Sequence, residues 1–357
     1  MKPIDRMGLV AGLGVSLALT ASIYLGSQGL RHFDRAVLWY AVGSVLAAFA
    51  VGYRLAIWIR RPPSRMYFRR GFQLLFRRAL NGSSRFTFHV SPAEPSTMTL
   101  AKAVGKNFVA QDFIRRRSSY RWVMHLCLSG GCTLAFAITF PLVFGWVHFE
   151  SLAANAETYR VAVFGLAMGS FDVHSATAFV AFNLLNFSAI IVAVGLVMAG
   201  IRRLTDAGER ATQKFTEDIL PLLLIFAVTS TGLMLTVSYK FLGGRGHSLI
   251  AVSHTISVIA LVGYIPFGKL LHMFQRTCSL CVSLYKRAGE AGPRAHCARC
   301  GEGFASEMHV ADLKIVLDQL GFNYRFATPH GEVHYQDICP PCRRRLLALN
   351  QGRTLGR

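Results

Sequence analysis

The chain has 357 residues, of which 52% are hydrophobic and only 16% are charged, and its formal net charge is +21. This composition is typical of a polytopic membrane protein and argues against a soluble domain. The eight cysteines, most of them in Cys-x-x-Cys pairs near the C-terminus, exclude a secreted disulfide scaffold and indicate metal chemistry.

Six apolar segments, each long enough to cross a bilayer as a helix, follow one another along the chain. They cover residues 7–30, 36–59, 122–147, 175–200, 219–239 and 248–273. The first resembles a signal peptide, but its apolar run exceeds the ~7–15 residues of such a peptide, so we expect it to be retained. The chain then divides into two N-terminal helices (1–60), a basic connection (61–118), a four-helix core (119–277) and a cysteine-rich tail (278–357).

Most of the 39 Lys and Arg residues fall on one side of these six segments when the N-terminus is placed in the cytoplasm. The positive-inside rule therefore predicts an integral protein of the inner (cytoplasmic) membrane of a prokaryote, with both termini cytoplasmic. This rule and contact with anionic membrane lipids explain the basic excess, so no nucleic-acid partner is expected. The aromatic and basic stretch 66–78 is predicted to lie in the headgroup layer, with docking of a partner subunit as the alternative.

Two histidines, His254 and His272, lie 18 residues apart at the two ends of the last apolar segment. Eighteen residues are five turns of one α-helix, so both rings would leave the same face, roughly 27 Å apart. An ionisable ring inside a membrane indicates a functional site. The spacing predicts two stacked ligand sites, one near each membrane surface, as in a cytochrome b that carries two haems.

Two further histidines lie at matching depths in the predicted topology. His125 is near the inner end of the third segment and His174 near the outer end of the fourth. Because a six-coordinate haem b takes two axial histidines, we expect an inner haem b between His125 and His272 and an outer haem b between His174 and His254. His247 is the alternative outer ligand. Helix–helix hydrogen bonding or a proton path remains the other interpretation of these histidines.

The stretch from His254 to His272, which ends in the motif Pro-Phe-Gly-Lys-Leu-Leu-His, resembles the last ligand helix of the respiratory nitrate reductase gamma subunit. It resembles more closely that of the membrane cytochrome b subunit of heterodisulfide reductase and of dissimilatory sulfite-reductase-linked complexes. The segment Arg-Trp-Val-Met-His at 121–125 resembles the Arg-Trp-x-x-His helix start of this second group. The resemblance covers about residues 115–285. The nitrate reductase subunit carries two ligands on one early helix, and this chain departs from that pattern.

This resemblance implies an electron-transfer subunit of the respiratory chain with no catalytic residue of its own. It would exchange electrons between quinone and an iron-sulfur, molybdenum or hydrogenase-type partner subunit through two haems. Tyr239 and Lys240 are candidates for the quinone site, together with His247. Two other classes stay open: a haem-free membrane assembly or sensor protein with a zinc-binding tail, and a proton-coupled transporter.

The tail contains three Cys-x-x-Cys pairs, whereas one tetrahedral metal site needs four cysteines. The glycine after Cys300 and the two prolines between Cys339 and Cys342 favour a zinc ribbon or rubredoxin-like site. We therefore expect the ligands to be Cys297, Cys300, Cys339 and Cys342. The alternative set is Cys278, Cys281, Cys297 and Cys300.

A site made only of sulfur accepts zinc or iron. The long spacer between Cys300 and Cys339 is expected to contain a helix at 311–320. The predicted fold class is thus an all-α membrane protein with six transmembrane helices and a small cytoplasmic, cysteine-rich, zinc-ribbon-like or rubredoxin-like C-terminal module.

Overall fold

The structure is a computed structural model that describes residues 5–76, 105, 109–152, 155–328, 331–354 and 356. Its contacts divide the chain into two compact units, each built from two stretches of sequence. Met1–Ile57 and Ala110–Met273 form the first, here called the helical unit. Trp58–Val109 and Phe274–Arg357 form the second, here called the cysteine unit. The sequence analysis did not predict that residues after the second apolar helix belong with the C-terminal tail.

Within the described residues, six helices are long and apolar enough to cross a membrane, as the sequence predicts. They are α1 (Arg6–Gly26), α2 (Leu38–Arg60), α5 (Ser119–Val143), α6 (Ala176–Thr205), α8 (Leu220–Phe241) and α9 (His247–Tyr264). Shorter helices lie between or after them: α3 (Pro62–Phe76), α4 (Asp112–Arg115), α7 (Ala207–Thr212) and α10 (His272–Gln275). Most of the helical unit is therefore an apolar bundle.

Small residues set how closely the central helices α5 and α6 approach. A Cβ placed on Gly195 of α6 would lie 2.9 Å from the backbone nitrogen of Leu128 on α5. Around this contact Val192, Ile225 and Leu261 form a buried cluster that joins α6, α8 and α9. Because lipid tails are as apolar as these side chains, the close approach of the backbones is what favours packing of one helix on another.

The last long helix is interrupted, which contradicts the single continuous helix inferred from the histidine spacing. Helix α9 ends at Tyr264, and a three-residue turn, Lys269–Leu271, separates it from α10. Pro266 lies in this break, where its missing N–H and its ring are incompatible with a helix interior. His254 and His272 therefore lie on different helical segments, and the five-turn phasing between them is wrong.

A three-stranded antiparallel sheet connects α5 to α6, and the all-α prediction missed it. Its strands are β1 (Val147–Leu152), β2 (Asn155–Val163) and β3 (Leu166–Asp172), in that spatial order. The register places Glu150 of β1 opposite Arg160 of β2, and the two side chains form an ion pair. Opposite charges on facing positions stabilise such a pair of strands and fix their register.

The cysteine unit combines helices with two short hairpins. Its elements after α3 are α11 (Ser279–Ala291), β4 (Arg294–His296), β5 (Gly303–Ser306), α12 (Glu307–Gln319), β6 (Arg325–Thr328), β7 (Gly331–His334) and α13 (Pro340–Thr354). The helix expected at 311–320 is confirmed, and it begins earlier because the Ser306 hydroxyl accepts a hydrogen bond from the His309 N–H. Helix α3 contains residues 66–76 of the stretch predicted for the headgroup layer, and it packs against α11 and α12. Residues 77 and 78 of that stretch lie outside the described residues.

A buried carboxylate ties α3, α11 and α12 together. Asp312 of α12 is only 4% exposed. It accepts hydrogen bonds from Arg70 Nη2 at 2.7 Å and from the Tyr285 hydroxyl at 2.9 Å. Burial and the neighbouring Asp312 raise the pKa of Tyr285, so the phenol stays protonated and donates. The charge of Asp312 is thereby matched by one cation and one neutral donor.

Replacement of Arg70 by alanine is expected to destabilise the cysteine unit by roughly 3 kcal/mol, because it leaves the Asp312 charge buried without its cation. Hydrogen exchange of the α12 amides in the detergent-solubilised full chain measures this loss as a lower opening free energy. Arg69→Ala is the matched control, because Arg69 is exposed on the same helix. Equal protection in the two variants would contradict the assigned role of the ion pair.

Candidate functional site

Four cysteine sulfurs meet in the cysteine unit. Those of Cys297, Cys300, Cys339 and Cys342 all lie within 4.8 Å of one another. The Cys300 and Cys339 sulfurs are 3.7 Å apart, close to the ~3.8 Å edge of a tetrahedron with Zn–S bonds of ~2.3 Å. The preferred set of ligands from the sequence is therefore the set that the structure brings together, and it could hold zinc or iron.

The backbone around the first cysteine pair forms a tight knuckle at the end of β4. The Cys297 N–H donates to the Glu302 carbonyl at 2.9 Å, and the Gly301 N–H donates to the Cys297 carbonyl at 2.8 Å. Gly301 has a φ of +73°, which a residue with a side chain rarely adopts. The second pair lies where α13 begins, with proline as the first helical residue. Both pairs are thus held by local backbone geometry.

Backbone donors favour the thiolate form at Cys297. Burial opposes the charged form, but the N–H groups of Cys339, Cys300 and Arg299 donate to its sulfur and lower the pKa of Cys297 to about 6. The Cys339 N–H to Cys297 Sγ distance is 3.2 Å. The hydrogen bond with the Cys339 thiol, in contrast, raises the pKa of Cys342 to about 12. A metal would replace the protons that the sulfurs share when it binds.

The remaining pair, Cys278 and Cys281, lies apart from this four-cysteine group in the described structure. Cys278 precedes α11, and Cys281 is buried in that helix facing Gly71 of α3. Burial, followed by the neighbouring Cys278, raises the pKa of Cys281. A buried thiol in its neutral form acts as a small apolar side chain. Because Cys278 and Cys281 lie outside the four-cysteine group, the alternative set of ligands is not assembled.

Three of the four predicted haem histidines are anchored in the same way. His125 Nδ1 lies 2.6 Å from Gln111 Oε1, and His254 Nδ1 lies 2.9 Å from Thr231 Oγ1. His272 Nδ1 lies against the Lys269 carbonyl oxygen. The Thr231 hydroxyl donates to the Ala227 carbonyl at 2.6 Å, so its oxygen, like the other two, can accept the Nδ1 proton. That arrangement leaves the lone pair on Nε2. Proteins orient metal-ligating histidines with such hydrogen bonds.

A chain of hydrogen bonds determines the tautomer of His125. The Ser129 hydroxyl donates to the His125 carbonyl at 2.7 Å, so its oxygen accepts from Gln111 Nε2 at 2.8 Å. The Gln111 carbonyl oxygen therefore faces His125 Nδ1 and accepts its proton. Gln111 is buried and has a left-handed φ of +50°, so the backbone accepts strain to present this amide. The sequence analysis missed Gln111, and only its place 14 residues before His125 connects the two in the sequence.

A cavity of about 480 Å³ lies inside the helical unit, within the size range of ligand sites in proteins. It is bounded by α2, α5, α6, α8 and α9 and is mostly apolar. His254 is the one histidine among the described residues that line it. Gly232 of α8 leaves space beside the ring, since a Cβ there would lie 3.3 Å from His254 Cε1. The cavity can therefore take a planar apolar group beside the imidazole.

His174 and His254 lie at different positions along the axis of α6. It is exposed just before α6, and its N–H donates to Asp172 Oδ1. His254 instead meets α8 at Thr231, and the bond between Thr236 and Asn186 at 2.8 Å places that part of α8 beside the middle of α6. The middle of α6, near residue 188, is roughly 18 Å along the axis from the start of the helix. The predicted outer pair of His174 with His254 is therefore not formed.

The other predicted residues lie at the end of the helical unit where α8 gives way to α9. His247, the alternative outer ligand, is exposed at the first position of α9. Tyr239 is 76% exposed. Lys240 Nζ donates to Asn183 Oδ1 at 3.0 Å. Neither Tyr239 nor Lys240 lines the cavity beside His254.

Comparison with protein-family models, with curated proteins and with solved structures gives no match for this chain. Its function is therefore inferred from its residues and their geometry.

Replacing Cys339 by serine is expected to remove one equivalent of metal from the full chain, because three sulfurs no longer close a tetrahedral site. Elemental analysis for zinc and iron after purification without a polyhistidine tag measures this loss. Cys278→Ser is the matched control and is expected to keep the metal. The reverse result, with metal lost in Cys278→Ser and kept in Cys339→Ser, would contradict the assignment.

Proposed function

We propose that the chain is a b-type cytochrome subunit of a membrane complex that exchanges electrons between quinone and a partner redox subunit. The observation that carries the proposal is the common anchoring of His125, His254 and His272, each with an oxygen acceptor at Nδ1. Hydrogen bonding between helices alone does not require three rings to share one tautomer. Iron ligation through Nε2 does require it.

His125 and His272 are proposed to hold the inner haem b. Leu128, one turn after His125, and Leu270, two residues before His272, pack against the same buried cluster. This packing favours placing the two rings at one end of the bundle. Haem supplies one-electron chemistry when bound. Gln111 and the Lys269 carbonyl keep the proton on Nδ1 of each ligand, and Lys269 itself forms an ion pair with Asp218.

At the second proposed site the described residues fit a haem only in part. His254 presents an imidazole to the cavity, but His174 lies too far along α6 to be its axial partner. Two haems per chain therefore stays a prediction, and no electron step is assigned to a haem between His174 and His254. The lining of the cavity is mostly apolar, which favours an apolar planar group over water beside His254.

The cysteine unit is proposed to face the partner. If its four sulfurs hold iron, the site relays electrons, and if they hold zinc, it shapes a docking surface. The partner is proposed to be an iron-sulfur, molybdenum or hydrogenase-type subunit, and both termini are placed in the cytoplasm. These assignments rest on the resemblance of the histidine motifs and on the distribution of Lys and Arg residues.

A haem-free membrane assembly or sensor protein with a metal-binding tail is the second candidate. The four-cysteine group favours it, because that group forms without any contribution from the bundle histidines. The two candidates differ in one measurable property, since only the first has a chromophore in the helical unit.

Absorption spectra of the full chain purified in detergent from native-like membranes test the proposal. The reduced protein is expected to show the bands of b-type haem with two histidine ligands. His125→Ala and His272→Ala should each remove the same component, about half of the haem if two are bound, because each leaves one axial ligand. Added imidazole should restore part of that component, which a merely structural loss would not allow.

His174→Ala is the matched control, because the structure places this histidine outside the bundle. It is expected to leave the spectrum unchanged. A wild-type protein that shows no haem bands while its cysteine unit holds metal would establish the second candidate instead.

A further inference from the structure

A second cluster of metal-ligating side chains lies in the helical unit, beside strand β1 of its three-stranded sheet and far in sequence from the four cysteines. His32 comes from the loop between α1 and α2, and His148 and Glu150 come from β1. One ligand atom from each of the three lies within 4.8 Å of the others. We propose that His32, His148 and Glu150 bind a divalent late transition metal of the zinc class, independently of any haem.

The distances are close to those of a coordinated ion. His148 Nε2 is 3.3 Å from Glu150 Oε1, and His32 Nδ1 is 4.0 Å from the same oxygen. Tetrahedral zinc with bonds of ~2.0–2.1 Å places its ligand atoms ~3.4 Å apart. Of the three edges between the ligand atoms, the one from His148 to Glu150 therefore already has the right length. The edge from His32 to Glu150 is about 0.6 Å longer, so His32 would move towards the carboxylate when the ion binds.

The hydrogen bonds of His32 leave its inner nitrogen as an acceptor. His32 Nε2 lies 3.1 Å from Gln28 Oε1, so the ring N–H donates to that amide. In the neutral ring the lone pair then lies on Nδ1, 4.0 Å from the carboxylate oxygen of Glu150. A cation placed between these two atoms would bind both.

His148 supports the same interpretation. Its side chain is only 13% exposed, and its Nε2 is the nitrogen that lies beside Glu150 Oε1. With Nε2 as the ligand atom, the proton of the neutral ring belongs on Nδ1. The imidazole is stacked on His32 with ring centroids 3.8 Å apart and planes 8° apart. Two parallel rings present their nitrogens to one side of the cluster.

Arg160 orients the carboxylate. Its Nη2 lies 3.2 Å from Glu150 Oε2, which leaves Oε1 directed at the two histidines. The β1–β2 register fixes this arrangement because Glu150 and Arg160 face one another across the strands. A hydrogen-bonded carboxylate with one oxygen turned to the ion is typical of the outer shell of metal sites.

The loop that carries His32 is held in a costly backbone conformation. Gln28, Gly29 and Leu30 have consecutive positive φ values of 54°, 71° and 66°. The His32 N–H donates to the Ser27 carbonyl at 3.2 Å. A Cβ on Gly145 would lie 2.7 Å from the His32 carbonyl oxygen, so this glycine allows the loop to reach β1. Strain of this kind occurs at ligand sites, where the surrounding structure maintains it.

Two histidines and one glutamate leave a coordination position open for water or another small ligand. The ligand set favours zinc or copper(II) over magnesium or calcium, which prefer oxygen. It differs from the four-cysteine group, where the protein alone completes the tetrahedron. The two sites share no ligand, so the zinc bound at each site can be counted separately.

The test is a count of zinc per chain. Full-length protein without a polyhistidine tag is loaded with zinc in detergent, desalted and measured by mass spectrometry of the metal. The wild type is expected to hold one equivalent beyond that lost in Cys339→Ser. Glu150→Gln, His32→Ala and His148→Ala should each lose this extra equivalent and keep the one in the cysteine unit.

Glu157→Gln removes a carboxylate from the same sheet and is the matched control, expected to keep both equivalents. Gln28→Ala alters no ligand and should weaken zinc binding by about 10-fold, through loss of the orientation of His32. If Glu150→Gln retains the full wild-type zinc content, or if the wild type holds zinc only in its cysteine unit, the proposal is overturned.

Discussion

An imidazole, amide or carboxylate buried in a protein is costly without a hydrogen-bond partner, and this cost shapes both units of the chain. A buried polar group without a partner has lost its hydrogen bonds to water and has formed none in their place. Gln111 and Ser129 satisfy His125, and Thr231 satisfies His254. Arg70 and Tyr285 satisfy Asp312 in the cysteine unit by the same principle. The chemistry of each ring follows, because its partner decides which nitrogen keeps the proton.

Features with a local signal could be predicted from the sequence. Hydropathy predicts six apolar helices, and the knuckle residues around the cysteines predict which four sulfurs meet. Features that depend on tertiary contacts could not. Nothing in the order of residues links α3 to α12, or His32 to His148, since each contact joins distant stretches of chain. The break at Pro266 has a local signal in the proline itself, whereas the 18-residue histidine spacing favours an unbroken helix.

The candidate sites fall into two chemical classes that suit their positions. Four sulfurs on two backbone knuckles make a closed site in which the protein supplies every ligand. The histidines of the proposed haem sites would each supply one nitrogen, so a group held there would bring most of its own structure. Sequence spacing identifies the first class well because both cysteine pairs are local motifs. The second class depends on which helices face one another, and there the structure does not bring His174 to His254.

The early end of α9 has a consequence for the redox behaviour of any cofactor on His272. Eighteen helical residues span roughly 27 Å, which is about the hydrocarbon thickness of a bilayer, and α9 ends at Tyr264. His272 lies beyond this length on a separate turn, while His254 lies within α9 and lines the apolar cavity. Water stabilises the more highly charged oxidation state of a metal group. Under the proposed function, an imidazole at each of these two positions would give the group it binds a different reduction potential.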